Sequence, residues 1–488
     1  MQGAVDMDFV RTVSALSVFA AVSGCATYTS QTERIRRDWS AGNTSVAYAE
    51  VSECESDRRD SVDALVWKLE RGAIARADGA LQDSVKSFES AHADIAAFES
   101  APEISISRET EAFLTNRSFL PYKGYNYDKI MACVYLALDY IELGDFDAAR
   151  VQVKRIENYQ AEAARQNAAR IERERRALQD AADKRDAASV ERARAVAERS
   201  EEFQKFYPDR SRGRAKRPYV NPFAYWVSGV FLAHAGEDMS DTERAQDMFR
   251  IGGSLAERQS SAFAQDYKMC ENILSGRKIV LPTYVVFETG CAPIRRQFRL
   301  DLPLFVAGEN LPHVAVNFPY LSARDSFKKS VAVSAGGKTH SLETVADMDE
   351  IIGLEFDNEL PLVITKTLLS AAAKATAQYF AARAAGGDWG ILVNIAGGVY
   401  QSLVNDADLR TWTTLPKKIM IARFDTPSDG IVKIDGVQAN VRPDCANIVF
   451  VKSMSAGGKI SVRTTAFAKN RGGANCGAAA EVSKKLAN

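Results

Sequence analysis

The sequence predicts an α+β chain: a helical N-terminal half with a long helical arm, followed by a β-rich C-terminal part that contains a helical hairpin. Three observations carry this. Ala132–Arg155 reads as two helices joined by a turn. Leu136, Ala137, Tyr140 and Leu143 recur at helical spacing, Gly144-Asp145 breaks the pattern, and Phe146, Ala149, Val153 and Ile156 start a second stripe. From Asp145 to Tyr207 there is no Gly or Pro, and Ala, Arg, Glu, Gln and Lys dominate, which favours long helix. At Lys278 the composition changes to Val-, Ile- and Phe-rich runs bounded by Gly and Pro.

Composition narrows the function classes. A net charge of −1 provides no whole-molecule field for nucleic acid, so no nucleic-acid partner is expected. Four histidines, His92, His234, His313 and His340, have no metal-ligand spacing, so they read as surface or packing residues, and neither metal nor cofactor is expected. Seven cysteines contain no C-x-x-C, which argues against a zinc ribbon or a thioredoxin-type centre. Cys133 falls in a helical core and reads as a buried free thiol. Cys445 and Cys476, in the last β-rich segment and the tail, are the pair to test as a disulfide.

The N-terminus is an address. Val13–Val22 is an apolar run too short to span a bilayer but long enough for a signal-peptide core. It ends in Val22-Ser23-Gly24-Cys25, which resembles a bacterial lipobox, with Cys25 as the acylated residue. Ala26 follows rather than Asp, so by resemblance to Gram-negative lipoproteins the destination is the periplasmic face of the outer membrane. Translation starts at Met1 or Met7. The boundaries read as signal peptide 1–25, tether and first helix 26–61, helical domain 62–277, β-rich domain 278–468 and a disordered tail 469–488.

Within the helical domain, the first pair places Leu65, Leu69 and Gly72 on one helix, Asp78-Gly79 at the turn, and Val85, Phe88 and Ala91 on the next. The second pair is Ala132–Arg155. The arm, about 146–207, carries only sparse apolar residues (Ile171, Leu178, Val190, Val196), too thin a seam for a tight coiled coil, and reads as a solvated helix or helical hairpin. The third pair opens at Asn221-Pro222, with Pro222 suited to a first helical turn, and continues through Tyr225, Gly229, Leu232, Ala245, Phe249 and Gly252. These pairs resemble tetratricopeptide (TPR) repeats, although insertions interrupt the period of about 34 residues.

In the β-rich part, Val280–Glu288 and Arg295–Leu302 read as two strands turning at Gly290, with Glu288 facing Arg295 or Arg296. Leu360–Ala385 and Ile391–Val404 read as a helical hairpin. Gly336-Gly337-Lys338-Thr339 has the tail of a P-loop without its leading glycine and reads as a hairpin turn.

Together the lipobox, YLALDYIELGDFDAAR at Tyr135–Arg150, NPFAYWVSG at Asn221–Gly229, VVFETGCAPIRR at Val285–Arg296 and DLRTWTTLPKKIMIAR at Asp408–Arg423 resemble a family of uncharacterised bacterial outer-membrane lipoproteins with a TPR-like N-terminal half. The resemblance implies a role in envelope assembly, and the helical pairs with a lipid anchor read as a non-enzymatic scaffold. Its implied partners are other envelope lipoproteins or peptidoglycan-synthesis proteins. In TPR units the concave wall comes from first helices, so Lys68, Arg71 and Asp139 are the expected protein-binding residues. The competing readings are a glycan-directed enzyme using Asp406 and Asp408, and a structural subunit that oligomerises through Leu360–Val404.

Overall fold

The computed structural model describes residues 28–100, 120–183, 187–208, 220–256, 260–302, 305–306, 309–310, 314–385, 407–467 and 485–486. Cys25, Asp406, Cys476 and the helix expected at 391–404 lie outside the described residues.

The stretch expected to hold a tether and then a first helix holds two helices from Tyr28 on, both docked. α1 (Tyr28–Ala41) and α2 (Thr44–Asp57) begin the fold. On α1, Tyr28, Thr32, Ile35 and Trp39 are buried and share one face at four-, three- and four-residue steps. The polar residues between them conceal this narrow stripe when the segment is read by average composition.

Helix pairs follow: α3 (Ala64–Asp78) with α4 (Leu81–Ser100), and α5 (Asn126–Leu143) with α6 (Phe146–Asp183). α7 (Ala187–Arg199) and α8 (Glu201–Phe206) lead to the third pair, α9 (Pro222–Ala235) with α10 (Met239–Leu255), and to α11 (Ser261–Leu274). The pairs approach closely because glycines face aromatic rings. A Cβ built on Gly72 would lie 2.7 Å from the Phe88 ring, and one on Gly229 would lie 2.7 Å from Phe249. Gly79 and Gly144 end α3 and α5 at φ +91° and +78°, a left-handed turn that glycine adopts without strain.

The arm is not a free arm along its whole length. Ala149, Val153, Ile156 and Ala163 bury the first half of α6. On the return, Ala193 and Ala197 of α7, Phe203 of α8 and Tyr207 enter a second core with Phe298, Phe318 and Leu360. The sparse seam finds its apolar partner in the β-rich part, which local periodicity cannot show.

The strands form several sheets. β1 (Pro282–Thr289), β2 (Ile294–Leu302), β3 (Phe305–Val306), β4 (Glu309–Asn310), β5 (Val314–Ser322), β6 (Val333–Ala335), β7 (Lys338–His340) and β8 (Glu343–Asp347) precede α12 (Met348–Ala385). β9 (Lys418–Asp425), β10 (Ile431–Ile434), β11 (Val437–Asn440), β12 (Asn447–Ser453), β13 (Ser461–Ala466) and β14 (Lys485–Leu486) follow it. The main sheet runs β14-β13-β12-β1-β9-β8, with β1 parallel to β12 and antiparallel to β9. A smaller sheet, β11-β10-β6-β7, covers one face of it. The main sheet's other face meets the helices: Tyr284 and Val286 of β1 point into the helical core, Val285 and Phe287 toward the small sheet. Helices, main sheet and small sheet are therefore stacked as three layers, and the fold class is α+β.

The hairpin expected at Gly290 does not form. β1 is apolar on both faces and takes the centre of the main sheet, whereas the alternating β2 pairs with β5 in a separate two-stranded ribbon. α12 begins twelve residues before Leu360 because Asp347 caps it, accepting from the Asp349 and Glu350 N–H groups. Gly336-Gly337 is the β6–β7 turn, with both residues at positive φ. The tail is not wholly unstructured, since Lys485–Leu486 extends the main sheet at β13.

Gly229→Ala should destabilise the protein by roughly 1–3 kcal/mol through overpacking against Phe249. Adding Phe249→Leu should restore part of the loss, while Gly457→Ala, where a Cβ meets nothing within 4 Å, should be near neutral. Urea unfolding midpoints of the variants test this.

Candidate functional site

The face of the first helices, where a TPR-like array would be open to a partner, is covered by the chain's own β-rich part. Trp226 of α9 meets Tyr284 of β1 edge-on at 5.3 Å, and Tyr135 of α5 meets Trp412 at 5.9 Å. The guanidinium of Arg76 on α3 lies 4.9 Å from the Phe450 ring centre on β12.

Much of this cover is an irregular segment, Asp408–Lys417, in which Arg410 through Lys417 are all buried. A buried segment without regular structure needs partners for its polar groups. The carboxylate of Glu70, on the buried face of α3, supplies several. Oε1 accepts from Thr413 N (2.6 Å), Thr413 Oγ1 (2.7 Å) and the Tyr28 hydroxyl (2.7 Å). Oε2 accepts from Thr414 N (3.2 Å) and Thr414 Oγ1 (2.6 Å). Burial, and then Glu70 itself, raise the Tyr28 hydroxyl well above its ordinary pKa, so it donates. Trp412 lies between Phe88 and Tyr135, and its indole N–H donates to Thr414.

At the start of the segment, Arg410 forks onto both oxygens of Asp408 at 2.8 Å. Its third nitrogen reaches Asp63 (3.0 Å) and the carbonyls of Val62 and Leu120. Asp408 is thus held in an ion pair with Arg410.

The residues expected to line an open wall are engaged internally. Asp139 is fully buried; it pairs with Arg76 and accepts from Ser84 at 2.6 Å. Burial pushes Asp139 up to about 6, and Arg76 opposes that rise, so it is ionised at neutral pH. Lys68 is buried and bonds Asp94 at 2.6 Å. Arg71 bonds Ser52 and Ser87 between α2 and α4. Asp139 and Lys68 are therefore closed to a partner, because the packing of neighbouring helices and strands takes up the face on which helical periodicity placed them. Glu288 does not face Arg295 or Arg296. It pairs with Lys452 across β1 and β12 at 2.6 Å; Lys452 and then Arg76 hold it below its usual range against the push of burial. Arg76, Glu288, Lys452 and Arg463 line a crevice of about 20 Å³, room for about one water.

A second junction joins α12 to α5. Glu355 Oε1 accepts from the Asn126 N–H (3.0 Å) and Nδ2 (2.9 Å), capping the start of α5 from 229 positions away in sequence. Burial, and then the neighbouring Glu359, push Glu355 up to about 8. Asp128, which accepts from Tyr122 and from the Tyr125 N–H, is pushed by burial to about 7. Sequence reasoning missed Glu70 and Glu355, whereas the clustering of Arg410 with Asp408 ahead of Trp412 already pointed to the salt bridge seen here. Glu70 carried a signal, since an acid among Trp67, Ala73, Ile74 and Ala77 interrupts an otherwise apolar face.

Among the cysteines, Cys133 is a buried free thiol raised by burial to about 12. Cys445 is disulfide-bonded, and Cys476, its expected partner, lies outside the described residues. No helix among the described residues is long and apolar enough to cross a membrane.

No family model matches the chain, and no curated protein matches it. Among solved structures, a tetratricopeptide repeat protein from Parabacteroides merdae is similar at 16% identity over 50% of this chain and 99% of that one, with a TM-score of 0.14.

Two outcomes are expected. Glu70→Ala should cost roughly 3–5 kcal/mol, because it strips the buried Thr413 and Thr414 donors of their acceptor; Thr413→Val should cost less. Stability should also fall as pH rises from 5 to 8. Glu355 and Asp128, with Asp139 and Asp266 at about 6, keep protons in the folded state that the unfolded chain has already released. His92, lowered by burial and then Arg155, opposes this trend. Glu355→Gln should flatten the slope by at most ~1.4 kcal/mol per pH unit, measured by chemical denaturation across that range.

Proposed function

We propose that this protein is a non-enzymatic interaction scaffold, anchored by lipid at Cys25 to the periplasmic face of the outer membrane and serving envelope assembly or maintenance. The observation that carries the reading is that the helical layer packs on its own sheet and leaves apolar side chains exposed on its second helices and turns. Large apolar side chains are exposed there: Leu143 at the end of α5 is 41% exposed, Val151 on α6 50% and Met239 at the start of α10 46%. Arg150, beside Val151, bridges to Asp241 (2.9 Å) and Glu237 (3.5 Å), which ties the α5–α6 and α9–α10 pairs together at this surface. A partner of this scaffold is an envelope lipoprotein or a peptidoglycan-synthesis protein, and it engages the turn surface rather than the covered first-helix face.

A photo-crosslinking residue at Val151 or Met239, used in cells, should capture a defined envelope protein. Capture should be lost in Cys25→Ser, which should also release the protein from membranes. Val151→Asp should weaken capture without changing the urea midpoint. Recovery of glycan in place of protein would overturn the scaffold reading.

A further inference from the structure

We infer that the lipid anchor joins the folded body with no working tether, so that the face around the start of α1 is apposed to the bilayer surface. This rests on the proposed acylation of Cys25 and adds where the body must stand once that acylation occurs. Tyr28, three residues after Cys25, is only 5% exposed. Its hydroxyl lies 2.7 Å from Glu70 and 2.9 Å from the Thr411 carbonyl, and its ring meets Trp67 at 5.1 Å. The rest of α1 is fixed too. Ile35 and Trp39 are buried, and Lys452 of β12 lies 5.1 Å from the Trp39 ring centre.

α1 therefore cannot lengthen the connection without uncovering Ile35 and Trp39 and removing Tyr28 from the Glu70 clamp. Three residue steps reach about 11 Å at full extension, whatever conformation they adopt. The thiol of an acylated cysteine sits at the headgroup level, so the first turn of α1 lies within that distance of the lipid headgroups. The occupant of this face is the bilayer surface, and protein partners are left the surfaces away from it.

The test uses the full-length protein labelled in cells with radioactive palmitate, then purified and reconstituted into vesicles with headgroup spin-labelled lipid. A fluorophore is placed on Ser30→Cys in a Cys54→Ser background, with Glu33→Cys as a second site should the first variant fold poorly. Strong quenching is expected. Twenty Gly/Ser residues inserted between Ala26 and Thr27 raise the mean reach to roughly 25 Å, and quenching should be lost. Palmitate incorporation without quenching, or quenching that survives the insertion, would overturn this inference alone. No palmitate incorporation would overturn the acylation reading and this inference with it.

Discussion

The Glu70 carboxylate is the interaction on which the rest of the structure depends. It sits on α3, in the first helix pair, yet the backbone and side-chain donors it gathers belong to Thr413 and Thr414, more than 340 positions later. A buried carboxylate is costly unless its lone pairs are filled, and a buried segment without regular structure is costly unless its N–H groups are filled. Each satisfies the other. Because the Tyr28 hydroxyl joins the same oxygen, the clamp fixes three distant parts of the chain at one point: the start of α1, the middle of α3 and the segment that leads into β9.

That clamp explains why the change in composition at Lys278 is not a boundary in the core. The inner faces of α3, α5 and α9 find their apolar cover in Trp412, Phe450 and Tyr284, so one hydrophobic core runs from the helices into the main sheet. Long-range contacts of this kind also account for the return of the arm. α7 packs against α12 and β2 as well as against the preceding α6, and Phe203 of α8 meets Phe298 of β2 and Phe318 of β5. The helical half has the close glycine–aromatic packing of repeat proteins, but its first-helix face is used within the chain.

What the sequence disclosed follows from the range of each signal. The helix pairs were legible because their period, their turn glycines and their small–aromatic contacts are all local; Gly72 with Phe88 and Gly229 with Phe249 are sixteen and twenty residues apart. The strands were legible as strands but not in their pairing. The parallel partner of β1 is β12, which begins at Asn447, and no local feature of Gly290 distinguishes a hairpin from a change of sheet. α1 was illegible because a one-residue-wide stripe vanishes in a polar average. Lys68, Arg71 and Asp139 were placed on the right helices, but periodicity cannot tell which polar residue on a helix meets solvent and which meets Arg76 or Asp94.

The same distinction separates two kinds of buried charge here. Asp139 with Arg76, and Asp408 with Arg410, are ion pairs whose opposite charges offset the loss of water. Glu355 is held mainly by the amides of Asn126 and lies close to Glu359 and Asp128, so burial and like charge push it toward its neutral form. Asp139 with Arg76 ties α5 to α3, and Asp408 orients Arg410 toward Asp63, whereas the α12–α5 junction gains a negative charge as pH rises through the range where Glu355 ionises. Its amide bonds can then strengthen, but the repulsion from neighbouring acids grows with them, and the direction in which Glu355 is shifted means that burial and repulsion win. Asp139 is raised by burial too and so weakens in the same direction as pH rises, but its Arg76 partner keeps that shift smaller than the one at Glu355, which has amides and no cation against it.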